Sequence, residues 1–289
     1  VVILLFISGP VNNLINMQNM YSQYIVSNSR IKQFFIDFEN EDDNDDALHA
    51  EVNERELNVI ELKNICFNYQ NAESENNFGI GPINLRIERG EVLFIIGGNG
   101  SGKSTFINIL TGLYQPSSGE LILNDQEVVS TPATIQKHIS AIFTDNHLFS
   151  NNYDNYSLEH NETYKELLKI MEMDKITGND KEESARRSFS KGQSKRMSMI
   201  FALLENKPVI VLDEWAADQD PHFRKYFYEK LVPKLKKEGK TIIAVTHDDA
   251  YFKHADRIIK FDYGKIVKDI NSKTDILQAE DLWYTEVTA

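Results

Sequence analysis

The chain has a single cysteine, Cys66, among its 289 residues, so an intrachain disulfide is impossible. This scarcity fits a reducing compartment. We interpret Cys66 as an ordinary strand residue, with a reactive or metal-binding thiol as the alternative. Basic residues are also few, because 31 lysines and arginines stand against 44 acidic residues and give a net charge of −13. This excess of negative charge disfavours sequence-independent binding to nucleic acid, and we expect no nucleic-acid partner.

Long hydrophobic runs are missing as well. The first seven residues, VVILLFI, are apolar, whereas a membrane-spanning helix needs about 20 such residues. The run lacks the basic start and small-residue cleavage site of a signal peptide. We interpret it as the remnant of a transmembrane helix in a truncated chain, the alternative being an apolar core segment or frayed terminus. Residues 11–36 approximate a helical period, and their amide-rich face either lines a polar cavity or meets solvent.

The rest of the chain divides by composition. The stretch DFENEDDNDD, Asp37 to Asp46, carries seven acids in ten residues and predicts a solvated linker over 37–56, with metal binding as the alternative. After it, apolar runs of strand length alternate with helical segments such as residues 162–173. Short, fully apolar strands between helices predict a parallel sheet covered on both faces, and therefore an α/β fold.

One glycine-rich motif joins an apolar strand to a helix. GGNGSGKST fits the phosphate-loop pattern G-x-x-x-x-G-K-[ST] in the strand–loop–helix setting that the motif requires. Glycines let successive backbone N–H groups point at phosphate oxygens, and the helix N-terminus adds partial positive charge. Lys103 is placed to reach the β- and γ-phosphates, and the Ser104 hydroxyl to bind Mg²⁺. The motif predicts a nucleoside triphosphate site formed by Gly97, Gly98, Asn99, Gly100, Ser101, Gly102, Lys103, Ser104 and Thr105.

A second apolar strand, VIVLDE, ends in two carboxylates. In a phosphate-loop protein Asp213 is expected to hold Mg²⁺, and Glu214 to orient and deprotonate the attacking water. A solvated turn is the alternative for both. Asp220 precedes Pro221 and is predicted to cap a helix. Asp218 has no assigned role and is interpreted as idle.

Taken in order, these motifs resemble the nucleotide-binding domain of ABC transporters over about residues 57–270. FSKGQ, Phe189 to Gln193, resembles the family's LSGGQ signature and precedes VIVLDE by a short interval. His247, in VTHDD, matches the switch histidine that contacts the γ-phosphate. Tyr69, in the strand before the phosphate loop, matches the aromatic residue that stacks on adenine.

The resemblance implies a RecA-like P-loop core with a parallel sheet, an antiparallel β subdomain and a helical subdomain that carries the signature. It also implies a dimer, expected to be a homodimer, in which two ABC domains meet head to tail around two ATP molecules. Ser190, Gly192 and Gln193 would then bind the ATP of the other chain, while Lys103, Glu214 and His247 act on the chain's own ATP. Asp220 matches the aspartate of the loop that crosses this interface.

A narrower resemblance concerns the segments DEWAADQDPHFR and HADRIIKFDYGKIV. Both are similar to the cyclic-peptide and siderophore-peptide exporters among bacterial ABC transporters, and residues 1–36 resemble the end of such an exporter's last transmembrane helix with its cytosolic extension. Residues 271–289 are left as a C-terminal tail. The implied function is ATP hydrolysis that drives export of a peptide or siderophore-like molecule across the cytoplasmic membrane, with the ATP-binding domain, attached to its own or an associated transmembrane domain, on the cytosolic side.

Two departures from the family pattern keep alternatives open. Lys191 replaces a glycine of the signature, and it either assists phosphate binding or distorts the loop. The family's Q-loop glutamine is absent, and Thr144 or Asp145 at that place is expected to complete the Mg²⁺ shell. The alternative functions are a soluble, non-transport ABC ATPase, an ATPase subunit of a separate membrane protein, and a catalytically inactive regulator.

Overall fold

The structure is a computed structural model that describes residues 17–18, 20–21, 23–25, 27–32, 56–69, 78–129, 131–145, 161–177 and 189–272. The chain forms two compact units, Val1–Arg55 and Glu56–Ala289. In the first unit the described residues form one helix, α1, within 17–32, and its Met17, Tyr21 and Ile25 are exposed. Across the described part of the chain, no helix combines the length and the apolar character needed to cross a bilayer. The predicted membrane remnant before residue 17, the acidic linker before residue 56 and the tail after residue 272 lie outside the described residues.

The second unit begins with an antiparallel sheet. Numbered along the chain, its strands are β1 (Val59–Asn68), β2 (Gly79–Glu88), β4 (Ser118–Leu123) and β5 (Glu127–Val128), in the order β2-β1-β4-β5. From Ile83 to Glu88, buried and exposed side chains of β2 alternate, as expected for a sheet that packs on the core through one face.

A six-stranded sheet forms the centre of this unit. Its strands are β3 (Val92–Gly97), β6 (Ile139–Ile142), β7 (Val209–Asp213), β8 (Thr241–Val245), β9 (Arg257–Asp262) and β10 (Lys265–Asn271), in the order β10-β9-β3-β8-β7-β6. Every neighbouring pair is parallel except β9 and β10. All residues of β3, β7 and β8 are buried. The prediction of an α/β fold with a parallel core sheet and a separate antiparallel sheet is confirmed.

Helices cover both faces of the central sheet. They are α2 (Lys103–Leu110), α3 (Pro132–Gln136), α4 (Glu162–Ile170), α5 (Asp174–Thr177), α6 (Lys191–Leu204), α7 (Pro221–Tyr226) and α8 (Val232–Lys237), with 3₁₀ turns at Trp215–Asp218 and Asp249–His254 and a π turn at Phe227–Leu231. The helix predicted over 162–173 ends three residues early, because Met171 is its C-cap and Glu172 adopts a left-handed φ of 57°.

The alternation of side chains along β3 divides the core in two. Val92, Phe94 and Ile96 pack with the helices α4, α6, α7 and α8, whereas Leu93 and Ile95 pack with α2 and the antiparallel sheet. Since β3, β8 and β7 are adjacent and parallel, their carboxyl ends meet at one edge of the sheet. The loops that follow these three strands carry the residues of the candidate site.

Candidate functional site

The loop after β3 bends through left-handed glycines. Gly97, Gly100 and Gly102 have φ values of 147°, 73° and 105°, a region that disfavours side chains with a Cβ atom. A Cβ on Gly97 would lie 2.3 Å from the Phe261 carbonyl oxygen. By contrast, a Cβ on Gly98 or Gly100 would meet no atom within 4 Å, so open space borders the loop on that side. Gly102 then begins helix α2 as its N-cap, with Lys103 as the first helical residue.

Lys103 is held inside the loop that precedes it. Its Nζ donates hydrogen bonds to the carbonyl oxygens of Gly97 at 2.8 Å and Gly98 at 2.9 Å, and only 6% of the residue is exposed. Burial lowers the pKa of this ammonium group, and the nearby carboxylates of Glu214 and Asp213 oppose the lowering. The cation therefore sits where the loop, the helix N-terminus and the acids after β7 come together.

Asp213 ends strand β7 and is 5% exposed. Burial raises the pKa of its carboxyl group, and the hydroxyl groups of Thr144 and Ser104 act against this rise. Among the residues that the structure describes, no group donates to the buried oxygen Asp213 Oδ1. A buried carboxylate oxygen without a donor is costly to the protein alone, and it is suited to a cation.

Glu214 follows at once and has an unusual backbone. Its φ of 50° and ψ of 34° are left-handed, and its N–H donates to the Val245 carbonyl oxygen of β8 at 3.2 Å. One carboxylate oxygen, Oε1, lies 3.3 Å from Nε2 of His247, which follows β8. The left-handed turn thus separates the two acids, with Asp213 buried and Glu214 partly exposed beside an exposed His247.

The residue predicted to stack on adenine lies beside the phosphate-loop helix, whereas one of the two predicted Q-loop residues contacts Asp213. Tyr69 lies next to the phosphate-loop helix, with its hydroxyl 3.0 Å from Thr105 Oγ1. Thr144 approaches Asp213, because its hydroxyl donates to the Asp213 carbonyl oxygen at 3.2 Å. Asp145 is exposed beside it. The structure therefore brings Thr144 to the acid that ends β7.

The signature segment begins helix α6 through a reciprocal cap. Ser190 Oγ accepts from the Gln193 N–H at 3.3 Å, and Gln193 Oε1 accepts from the Ser190 N–H at 3.0 Å. Lys191 is exposed and is the first residue of the helix, so its backbone needs no positive φ. This position removes the physical reason for expecting Lys191 to distort the loop. A Cβ on Gly192 would lie 2.7 Å from the Asp218 carbonyl oxygen, so glycine permits close approach there.

The interpretation of Asp218 as idle is wrong, because its Oδ2 pairs with Lys195 Nζ at 2.7 Å. Lys195 was not anticipated as part of the site, although a lysine two residues beyond the signature and inside an apolar helix face indicates a buried charge that needs a partner. The predicted cap at Asp220 is confirmed by a 2.9 Å bond from the Phe223 N–H. Asp220 also pairs with Arg196 at 2.6 Å.

Known proteins resemble this chain in sequence and in fold. The family model described as ABC transporter matches residues 80–217. The chain is 38% identical over 281 residues to the ATP-binding protein SyrD of Pseudomonas syringae pv. syringae, which matches 93% of this chain and 49% of that protein. This chain therefore spans about half the length of SyrD.

Two further similarities concern the ATP-binding unit. The energy-coupling factor transporter ATP-binding protein EcfA1 of Staphylococcus aureus (strain MRSA252) is 31% identical over 237 residues, covering 78% of this chain and 86% of that protein. The dimeric structure of the ATP-binding cassette MJ0796 bound to ADP and Pi is 25% identical, covers 74% of this chain and 98% of that chain, and superposes with a TM-score of 0.63. The chain belongs to the ABC transporter family and contains its ATP-binding domain, a P-loop ATPase.

Proposed function

We propose that this chain hydrolyses ATP as one half of a head-to-tail dimer and drives export of a peptide or siderophore-like molecule across a bacterial cytoplasmic membrane. One observation carries the ATP-hydrolysis part of the proposal: the loops after β3, β7 and β8 bring Lys103, the acids Asp213 and Glu214, and His247 to one edge of the sheet. This arrangement suits transfer of a phosphoryl group to water.

Phosphate binding is assigned to the loop of residues 97–105. Its left-handed glycines and open side leave room for phosphate oxygens against backbone N–H groups. Lys103 already donates to two carbonyl oxygens of the loop, so its ammonium group is held in place before the nucleotide arrives. A preorganised cation needs little rearrangement to stabilise charge on the β- and γ-phosphates. Tyr69 is proposed to stack on the adenine ring.

The residues around Asp213 fit Mg²⁺. Asp213 Oδ1 is buried without a donor among the described residues, and the hydroxyl groups of Ser104 and Thr144 lie beside this carboxylate. No cluster of three or more His, Cys, Asp or Glu within the described ranges is arranged to hold a metal by itself. Mg²⁺ commonly takes only one or two protein oxygens when phosphate supplies others, and it neutralises charge on the β- and γ-phosphates. We propose Ser104 and Asp213 as direct or water-mediated ligands, with Thr144 or Asp145 completing the shell.

Glu214 is proposed to accept the proton of the attacking water. The water oxygen bonds to the γ-phosphorus while the bond to the bridging oxygen breaks, which gives ADP and phosphate. His247 lies 3.3 Å from the Glu214 carboxylate and is placed to orient it and to contact the γ-phosphate. The exposed side of this pair is where a second chain would approach. Ser190, Gly192 and Gln193 of that chain would then present a capped helix N-terminus to the γ-phosphate.

Coupling to a membrane domain is proposed from the resemblance of residues 1–36 to the end of an exporter's last transmembrane helix, and the SyrD match extends into this part of the chain. Residues 57–289 make up about four fifths of the chain, whereas the match covers 93% of it, so the similarity continues into the residues before the ATP-binding unit. We propose the domains as 1–36 for the membrane-proximal segment, 37–56 for the linker, 57–270 for ATP binding and 271–289 for the tail. Export and a peptide-like cargo rest on the subfamily resemblance of DEWAADQDPHFR and HADRIIKFDYGKIV.

The second candidate is an ATPase subunit that serves a separate membrane protein. It is favoured by the match to EcfA1, of which this chain covers 86%, because that ATP-binding protein of a transporter is little longer than the matched region. The coding sequence upstream of Val1 distinguishes the two candidates. Several hydrophobic spans in the same reading frame support a transmembrane domain in the same chain, and their absence supports a separate subunit.

The catalytic assignment is tested by measuring steady-state ATPase activity and nucleotide retention in the purified chain. Glu214→Gln keeps the shape of the side chain but cannot accept the proton, so we expect turnover to fall at least about 100-fold while ATP remains bound. Tyr69→Ala is expected to raise KM for ATP and leave kcat within about twofold, because it removes binding that is equal in the ground and transition states. Normal turnover by Glu214→Gln would remove Glu214 as the base.

A further inference from the structure

A lysine lies almost fully inside the molecule, next to the segment that carries Glu214. Lys195, in helix α6, is 2% exposed. Its Nζ donates to the Glu214 carbonyl oxygen at 2.9 Å and pairs with Asp218 Oδ2 at 2.7 Å. The Asp218 side chain is 35% exposed. A buried ammonium group is stable only when it is paired and hydrogen-bonded, so both contacts are needed to keep Lys195 in this place.

The backbone of Lys195 takes part as well. Trp215, the residue after Glu214, is 1% exposed, and its indole N–H donates to the Lys195 carbonyl oxygen at 2.8 Å. Residue 195 therefore contacts two consecutive residues: its side chain binds the Glu214 carbonyl oxygen, and its own carbonyl oxygen accepts from the Trp215 indole ring. These two hydrogen bonds tie the start of residues 214–220 to helix α6.

Further contacts join the same helix to the same segment. Gln219 Nε2 donates to the Gly192 carbonyl oxygen at 3.2 Å, and Arg196 Nε donates to Gln219 Oε1 at 2.9 Å. The absence of a side chain at Gly192 allows the Asp218 backbone to approach. Helix α6 and residues 214–220 are thus joined by several hydrogen bonds, and among these bonds the one from Lys195 reaches the Glu214 backbone directly.

We infer that Lys195 is a positioning residue for Glu214: by binding the Glu214 carbonyl oxygen, it holds the left-handed backbone that directs the carboxylate toward His247. The inference rests on the proposed role of Glu214 in catalysis. A left-handed conformation is unfavourable for a glutamate by itself, so neighbouring groups must hold it. The Glu214 carbonyl oxygen accepts from the Ala217 N–H at 3.3 Å and from the Lys195 amine at 2.9 Å, and the amine makes the shorter of these two bonds.

A role in positioning has a different consequence from a role in stability alone. Replacing a buried ion pair by a well-packed apolar side chain is often neutral for stability. Lys195→Met removes the amine and keeps a long, unbranched side chain. If Lys195 only fills space, this variant keeps its activity. If it positions Glu214, the chemical step slows while ATP binding is preserved, because no Lys195 atom lies in the phosphate loop.

The experiment measures kcat and KM for ATP in the 289-residue chain and in Lys195→Met, well below the melting temperature of both proteins. We expect kcat to fall about 10- to 100-fold and KM to stay within about twofold, since a small displacement of a catalytic group costs this much. Lys165→Met is the matched control: Lys165 pairs with Glu162 on the surface of α4, and its side chain is 47% exposed. Its kcat is expected to equal that of the unmodified chain.

Asp218→Ala tests the same inference if Lys195→Met does not fold. This substitution leaves the Lys195 ammonium group without its carboxylate partner, so the group is expected to move away from the Glu214 carbonyl oxygen. We expect kcat to fall about threefold or more at unchanged KM. Unchanged kcat in a folded Lys195→Met, or in Asp218→Ala where the first variant fails, overturns the inference. Failure of the proposed function is a separate result, since the unmodified chain would then lack ATPase activity or Glu214→Gln would retain it.

Discussion

Replacing Trp215 gives the most quantitative test of how residues 214–220, here called the acidic segment, are anchored to helix α6. The indole ring is buried, lies 4.7 Å from Phe227 and 6.2 Å from Phe223 between ring centroids, and donates to the Lys195 carbonyl oxygen. Trp215→Ala removes the ring and leaves a cavity, at a cost of about 3–5 kcal/mol. Trp215→Phe keeps most of the packing and removes the hydrogen bond.

The smaller substitution has a smaller expected cost. Within helix α6 the Lys195 carbonyl oxygen also faces the amide four residues further on, so losing the indole donor does not leave it without a partner. A lost hydrogen bond of this kind costs about 1 kcal/mol. Since about 1 kcal/mol shifts the melting temperature of a domain of this size by roughly 2–4 °C, Trp215→Phe should melt a few degrees lower and Trp215→Ala at least about 6 °C lower.

The assay is urea and thermal unfolding of the nucleotide-free chain, followed by far-ultraviolet circular dichroism. Tyr263→Ala is the control, because Tyr263 is 87% exposed and its removal should change the free energy of unfolding by less than about 0.5 kcal/mol. If Trp215→Ala unfolds with a free energy within about 1 kcal/mol of the unmodified chain, Trp215 is not the anchor that its burial indicates. If both variants lose the same amount, the reasoning that separates the hydrogen bond from packing is refuted.

Three further predictions concern neighbouring positions. Burial raises the folded-state pKa of Asp213, so its ionised form destabilises the nucleotide-free protein, and Asp213→Asn should unfold at a higher urea concentration than the unmodified chain at pH 8. This difference in stability should shrink as the pH falls through the raised pKa. Added ATP with Mg²⁺ should stabilise only the unmodified chain. Asp220→Ala should lower the free energy of unfolding by about 1–2 kcal/mol while Asp220→Asn keeps most of it, because asparagine also caps helices; equal losses in urea titrations would contradict the capping role. Gly192→Ala should lower both stability, by about 1–3 kcal/mol, and kcat, because its Cβ would lie 2.7 Å from the Asp218 carbonyl oxygen; wild-type unfolding and turnover would show that α6 and the acidic segment can separate without loss.

The features of the fold that could be predicted from the sequence are those specified by residues close together in the chain. The fully apolar runs that became β3, β7 and β8 had to be buried on both faces, and the phosphate-loop motif requires a strand before it and a helix after it. The cap at Asp220 was predictable because both the acid and the proline that it precedes lie in one short stretch.

The contacts between distant segments were not predictable in the same way. Lys195 and Asp218 are 23 positions apart, and nothing in either local pattern indicates that α6 packs on the loop after β7. The helix predicted to continue to residue 173 ended earlier because Glu172 took a left-handed conformation, which periodicity does not report. Similarly, the exposed first-turn position of Lys191 depends on where α6 begins, and the reciprocal cap between Ser190 and Gln193 sets that first residue.

The left-handed backbone of Glu214 also bears on the balance between stability and activity. At a φ of 50° and ψ of 34°, glycine or asparagine would have a lower conformational energy than glutamate. The strain that a glutamate stores there is on the order of 1 kcal/mol. Selection for stability alone would therefore remove the very carboxylate that we propose as the base. The acidic segment is a place where engineering for thermal robustness and engineering for turnover pull in opposite directions, and a stabilised variant found at this position should be expected to hydrolyse ATP more slowly.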